Sequence, residues 1–216
     1  MTSMSATLII LILINAVFTY KGLEDFNFLE KYKFNVGAVR RGEYYRLITG
    51  AFLHGGWWHF FVNMFTLYFF FPIVENHFGT LPALLIYVGG MLAGNGAAYY
   101  FHRHQSWYSA VGNSGAVNAI LFSSILVYPG MKIMIFPLPI PIPSIVYAVL
   151  YLFYTGYGME RQKGFVGHEA HWGGAAAGIV LSILLDPSLF YRQTLLAGLL
   201  ILVLAGIFFY IRKQRL

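Results

Sequence analysis

Seven apolar stretches, each close to the length of a helix that crosses a bilayer, leave this chain little choice of fold. They cover residues 4–20, 57–74, 81–101, 110–128, 144–159, 165–185 and 194–211. A hydrocarbon core of about 30 Å is crossed by roughly 20 apolar residues, with a range of about 17–25. The fifth stretch is short, but the apolar run before it can extend it. Only 10% of the 216 residues are charged and 58% are hydrophobic, whereas a soluble domain carries about 25% charged residues. A water-soluble surface cannot be assembled from this composition, and so apolar a chain would not stay disordered. The absence of cysteine excludes a disulfide scaffold. The reading is an all-α polytopic membrane protein forming one membrane domain over residues 1–216. The first stretch is read as a span rather than a signal peptide, because no Lys or Arg precedes it and no clear cleavage site follows.

The connection between the first two stretches, about residues 21–56, holds six of the fourteen basic residues. Its mixture of charges with Phe26, Phe28, Leu29, Tyr32 and Phe34 suggests a segment lying in the membrane interface. Residues 136–143 read Phe-Pro-Leu-Pro-Ile-Pro-Ile-Pro. Alternating prolines forbid a regular helix and favour an extended path. Seven spans place the termini on opposite sides. One side then holds Lys21, Lys31, Lys33, Arg40, Arg41, Arg46, Arg103, Arg161, Lys163, Arg212, Lys213 and Arg215, and the other only Lys132 and Arg192. By the positive-inside rule the first side is cytoplasmic. The basic balance is assigned to contact with anionic lipid rather than nucleic acid.

A charge at membrane depth costs roughly 2.5–3.5 kcal/mol on insertion scales, so each strongly polar group inside a span is a functional candidate. These groups fall in three places. The second span carries His59 and Asn63 at i, i+4, on one helical face. The fourth opens with Gly112-Asn113-Ser114-Gly115, with Asn118 one turn beyond Ser114. The sixth opens with His168-Glu169-Ala170-His171, and His171, Gly174 and Gly178 share a face. All three lie near the N-terminal ends of even-numbered spans. Those ends face one side of the membrane, so His59, Asn63, Ser114 and His171 can occupy one depth. Gly174-x-x-x-Gly178, with Gly115 and Ala119 facing it, is the small-residue pattern that lets helix backbones approach closely.

Such a group of residues supports nucleophilic catalysis. A serine hydroxyl needs a base, an imidazole is the usual one, and the oxyanion that forms needs fixed donors. Ser114 at a helix N-terminus offers backbone N–H groups and a favourable dipole. Asn63 adds an amide and His59 a ring N–H. Against this stand plainer roles: serine bonding a backbone carbonyl, and His or Asn as interhelical glue. His54, His77, His102 and His104 lie near span ends and read as interfacial, as do Trp57, Trp58, Tyr99, Tyr100, Trp107 and Tyr108. A metal site is the rival chemistry, but the string is His-Glu-Ala-His rather than HExxH. The reading takes no metal and no cofactor.

In this order, these residues resemble the rhomboid family of intramembrane serine proteases. Gly112-Asn113-Ser114-Gly115 matches its Gly-x-Ser-Gly. Ala170, His171, Gly174 and Gly178 match its Ala-His-x-x-Gly-x-x-x-Gly, and His59 and Asn63 match its His-x-x-x-Asn, with His54 upstream. The resemblance covers about residues 42–185. It implies a six-helix core, about residues 4–185, with a seventh C-terminal transmembrane helix at about 194–211. It implies a dyad of Ser114 as nucleophile and His171 as base, with no third acidic member. His59, Asn63 and the Ser114 amide would form the oxyanion hole, and Gly115, Gly174 and Gly178 would pack the helices at the site. The implied substrates are single-span membrane proteins cleaved in or near their transmembrane segment, in a bacterial cell membrane. The site would open on the non-cytoplasmic side, which conflicts with the charge count. Three departures stand out. Tyr45-Arg46 replaces a Trp-Arg pair, Asn118 stands where many members stack an aromatic on the imidazole, and Glu169 precedes the histidine. The alternatives are a catalytically inactive rhomboid-like chaperone or trafficking factor and a small-solute transporter. The oligomeric state is not readable.

Overall fold

The computed structural model describes residues 4–135, 138–161 and 166–215. Phe136 and Pro137 of the proline-rich segment, and Lys163 and Phe165, lie outside the described residues. In chain order the elements are α1 (Ala6–Glu24), α2 (Phe26–Tyr32), β1 (Phe34–Asn35), α3 (Val36–Arg40), α4 (Arg46–Phe52), α5 (Trp57–Phe78), α6 (Thr80–His102), β2 (Ser109–Ala110), α7 (Ser114–Val127), β3 (Lys132–Ile135), β4 (Leu138–Pro143), α8 (Ser144–Arg161), α9 (His168–Leu185), α10 (Ser188–Arg192) and α11 (Thr194–Arg215). Every apolar stretch read from the sequence carries a helix. Helices α1, α5, α6 and α11 are long and apolar enough to cross a membrane.

Helix α7 starts later than the sequence predicts. It has 14 residues and starts at Ser114, not at residue 110. Ala110 instead pairs with Phe34 in the antiparallel β1–β2 ribbon. At 1.5 Å per residue, α7 is about 21 Å long. Its length is tolerated because it is the central helix: every residue from Gly115 to Leu126 is buried. A helix apolar on all sides belongs inside a bundle. Around it stand α5, α6 and α9, and two serines stitch it in place. Ser124 Oγ donates to Phe70 O at 3.0 Å, and Ser182 Oγ donates to Ser123 Oγ at 2.7 Å. Side-chain hydrogen bonds of this kind hold helices together where burial against lipid offers no driving force.

The long first connection folds into three short helices and one strand. Asp25 caps α2 by accepting from Asn27 and Phe28, and Asn35 caps α3 by accepting from Ala38 at 2.8 Å. Arg46, 8% exposed, ties the connection to itself: its guanidinium donates to the carbonyls of Glu30 and Lys33 and to the Glu43 carboxylate. The Tyr45-Arg46 departure therefore leaves the arginine fully engaged. The described part of the proline-rich segment is extended, as its composition requires. Its described part, β4, pairs with β3 in an antiparallel hairpin that shifts register at Met134/Ile135.

Candidate active site

The loop before α7 is fixed from both sides. Gly112 has φ +134°, a conformation that L side chains rarely adopt, and a Cβ there would lie 2.6 Å from Cε1 of His59. Its N–H donates to Gly50 O at 3.1 Å. Asn113 is fully buried, and its Nδ2 donates to the Tyr87 hydroxyl at 2.6 Å. Asn15 of α1 donates to that same hydroxyl at 3.3 Å. The sequence reading passed over Asn113 and Tyr87 as positioning groups; the signal available was only the polar Asn inside an apolar stretch. No side chain caps α7, so the N–H groups of its first turn are left for another acceptor.

Glycines set the approach of α9 to α7. A Cβ on Gly174 would fall 2.1 Å from Gly115 O, and one on Gly178 would fall 2.2 Å from Ala119 O. The helices are in backbone contact, and both numbers rise together, so they run parallel in register. Ser114 lies one residue, and His171 three residues, N-terminal to the Gly115–Gly174 contact. At 1.5 Å per residue their Cα atoms differ in height by about 3 Å. Helix α6 completes the junction: Gly94 and Gly90 lie where side chains would strike Gly115, Ala119 and Ala170.

Both dyad candidates are half-buried. Ser114 Oγ and His171 are not hydrogen-bonded to each other; among the described residues, the ring bond of His171 is from Nδ1 to the Tyr151 hydroxyl of α8, at 2.9 Å. His59 packs on the Gly112 loop. The geometry thus brings His59, His171 and the Ser114 loop to one place from three helices. Asn63 is 5% exposed, and its Nδ2 donates to His59 O at 2.9 Å, which leaves one amide N–H for an oxyanion. His54 stands behind His59 with ring centroids 5.0 Å apart, its Nδ1 2.7 Å from Thr19 Oγ1. Before α5 begins, burial holds the His54 imidazole neutral, down at about 3.

Glu169 turns away from His171. Its Oε1 lies 3.1 Å from His102 Nε2 and 2.8 Å from an Arg215 nitrogen, joining α9 to α6 and α11. Neighbours two residues apart on a helix point to different sides. His168 goes elsewhere again, edge-on to Tyr154 at 5.2 Å and against Gly158. Gly156 and Gly158 of α8 have a packing role: a Cβ at Gly156 would lie 3.1 Å from Ile207, and at Gly158 2.3 Å from His168. Tyr151 was missed altogether, since an aromatic in an apolar helix carries no distinguishing sign.

Comparison with known proteins shows which family the chain is similar to. The family model described as the Rhomboid domain matches residues 41–188. The chain is 27% identical over 168 residues to "RHOMBOID-like protein 12, mitochondrial" of Arabidopsis thaliana, covering 70% of this chain and 49% of that protein. It is 37% identical over 84 residues to "Putative rhomboid protease YdcA" of Bacillus subtilis, covering 39% and 41%. It is 24% identical over 137 residues to "Rhomboid protein 1, mitochondrial" of Saccharomyces cerevisiae, covering 62% and 40%. The matched region spans half or less of the length of each of these relatives.

Proposed function

This chain belongs to the rhomboid family and is an integral multi-pass membrane protein, and from that premise we propose that it is an intramembrane serine endopeptidase working through Ser114 and His171. The observation that carries the reading is the parallel backbone contact of Gly115 with Gly174, which brings the two residues to nearly one level. The substrate is a single-span membrane protein, cut in or near its transmembrane segment. A helical substrate hides its carbonyls in intrahelical bonds, so it unwinds locally before attack.

Ser114 Oγ attacks the scissile carbonyl while its proton passes to His171 Nε2. The oxyanion is held by the Ser114 N–H at the uncapped start of α7, with His59 and the spare Asn63 N–H beside it. Collapse of the intermediate expels the amine, which takes the proton from His171, and water attacking the acyl-serine completes hydrolysis. No metal and no cofactor enters. The apposition of hydroxyl and imidazole tightens when substrate arrives, since hydrogen bonds between catalytic groups are often long in the free enzyme. A six-helix core carries this chemistry, with α11 as an added seventh helix. Substrate enters sideways past α8, whose outer face exposes Leu150, Phe153 and Tyr157. The site opens on the non-cytoplasmic side.

Fluorophosphonate labelling tests the reading. Native protein reacts and Ser114→Ala does not. A folded native protein that fails to react and to cleave a transmembrane reporter would make the chain an inactive member with a chaperone or trafficking role.

A further inference from the structure

Beside the dyad stands a polar chain that the reaction scheme above does not use. Tyr151 reaches His171 from α8, with its hydroxyl 2.9 Å from Nδ1 and the two rings stacked at 6.0 Å and 18°. The tyrosine ring is itself held in place, stacked on Tyr147 at 5.6 Å and tilted against Phe122 at 6.0 Å. Asn118 is 4% exposed and its Nδ2 donates to Ser114 O at 2.8 Å. That bond fixes which way the amide faces. Its Oδ1 is buried without a hydrogen-bond partner among the described residues.

A neutral imidazole has one donor nitrogen and one acceptor nitrogen. If the Tyr151 hydroxyl donated to Nδ1, the ring proton would sit on Nε2. That nitrogen could then take nothing from Ser114. The opposite direction leaves Nε2 as the acceptor: Nδ1–H donates to the Tyr151 oxygen, 2.9 Å away. We propose that Tyr151 is a positioning residue for His171, and that by accepting from Nδ1–H it holds the imidazole in the tautomer whose Nε2 accepts the Ser114 proton. The inference rests on His171 being the base. Where many members stack an aromatic at the position of Asn118, the ring that stacks here comes from α8.

The full chain in detergent micelles, with a fluorogenic transmembrane peptide as substrate, provides the test. Tyr151→Phe keeps the stacked ring and removes the hydroxyl. It lowers kcat and the rate of fluorophosphonate labelling by about tenfold and leaves KM unchanged. In Ser114→Ala protein, the 15N spectrum of His171 shows Nδ1 protonated, and adding Tyr151→Phe gives mixed tautomers. Native kcat in a folded Tyr151→Phe protein overturns the proposal. So does an Nε2-protonated His171 when Tyr151 is intact, a measurement that needs no Tyr151 variant to fold. Undiminished cleavage by Ser114→Ala or His171→Ala would overturn the dyad itself, a separable result.

Discussion

A Cβ built on Gly174 would sit 2.1 Å from the carbonyl oxygen of Gly115, so α9 meets α7 backbone to backbone one turn below His171. No side-chain adjustment relieves such a clash, because the obstacle is main chain. Gly174→Ala and Gly178→Ala therefore push the two helices apart. Overpacking a core typically costs about 1–3 kcal/mol, occasionally more, and these two belong at the upper end. Gly198 and Gly206 of α11 have nothing within 4 Å; alanine there gains up to about 1 kcal/mol of helix propensity. Unfolding in mixed micelles against rising SDS should show the two pairs moving in opposite directions. Equal shifts in all four would refute the contact.

The oxyanion donors are predicted to act on turnover, not on folding. Removing one such donor generally lowers kcat by about 10²–10³. Asn63→Ala and His59→Ala should fall in that range with KM changed much less. Asn63→Ala also deletes a bond to His59 O, so part of its loss arises through a displaced His59. Steady-state kinetics on a transmembrane peptide would decide, and a variant with native kcat removes that residue from the oxyanion hole.

The apolar stretches and the polar residues at their ends were legible in the sequence because each depends on local pattern. Period and length located the helices, and the small residues around Ser114 and His171 foretold a close approach. What was not legible depends on partners far away in the chain. Ala110 looked helical until Phe34, 76 positions earlier, claimed it as a strand partner. Glu169 seemed free to face His171, but Arg215 and His102 draw it to the other side of α9. Tyr151 differs in no local way from Tyr147 or Tyr154; only the packing of α8 on α9 selects it. Gly156 and Gly158 likewise carry no local sign of the neighbours they make room for, Ile207 and His168.

Arg46 is expected to be a stability residue of the first connection. It donates to two carbonyls, Glu30 O at 2.8 Å and Lys33 O at 2.9 Å, while itself 8% exposed. Leaving a buried acceptor unsatisfied costs about 1–3 kcal/mol, so Arg46→Ala should lose roughly 2–4 kcal/mol. Lysine cannot reproduce the planar fork, so Arg46→Lys should recover less than half of that. Micelle unfolding and limited proteolysis around residues 30–45 would measure both, and a fully stable Arg46→Lys would contradict the argument.

Acid should loosen the same connection. The hydrogen bond from Arg46, with further bonds from Tyr45 and Arg41, holds the Glu43 carboxyl below its ordinary value. A carboxylate whose folded value is depressed contributes stability that is present above the unfolded value, about 4.3, and lost as pH falls through the folded one. Native protein should therefore lose stability below about pH 4.3, more steeply than Glu43→Gln does. Parallel pH–stability curves for the two would show that the Arg46–Glu43 pair contributes nothing.

The junction of Glu169 with Arg215 and His102 should behave as a buried ion pair. Glu169 and His102 are 5% and 4% exposed, and Arg215 arrives from the far end of α11, where it also donates to Met159 O. Removing one partner of such a pair leaves a buried charge uncompensated, at about 3–5 kcal/mol, whereas removing both is far less damaging. Arg215→Gln should thus destabilise by roughly 3 kcal/mol and free α11 for proteolysis near residues 186–194. Glu169→Gln combined with Arg215→Gln should recover much of that loss. A double-mutant cycle read by SDS unfolding gives the coupling directly, and strict additivity of the two changes would mean that α11 is not held through Glu169.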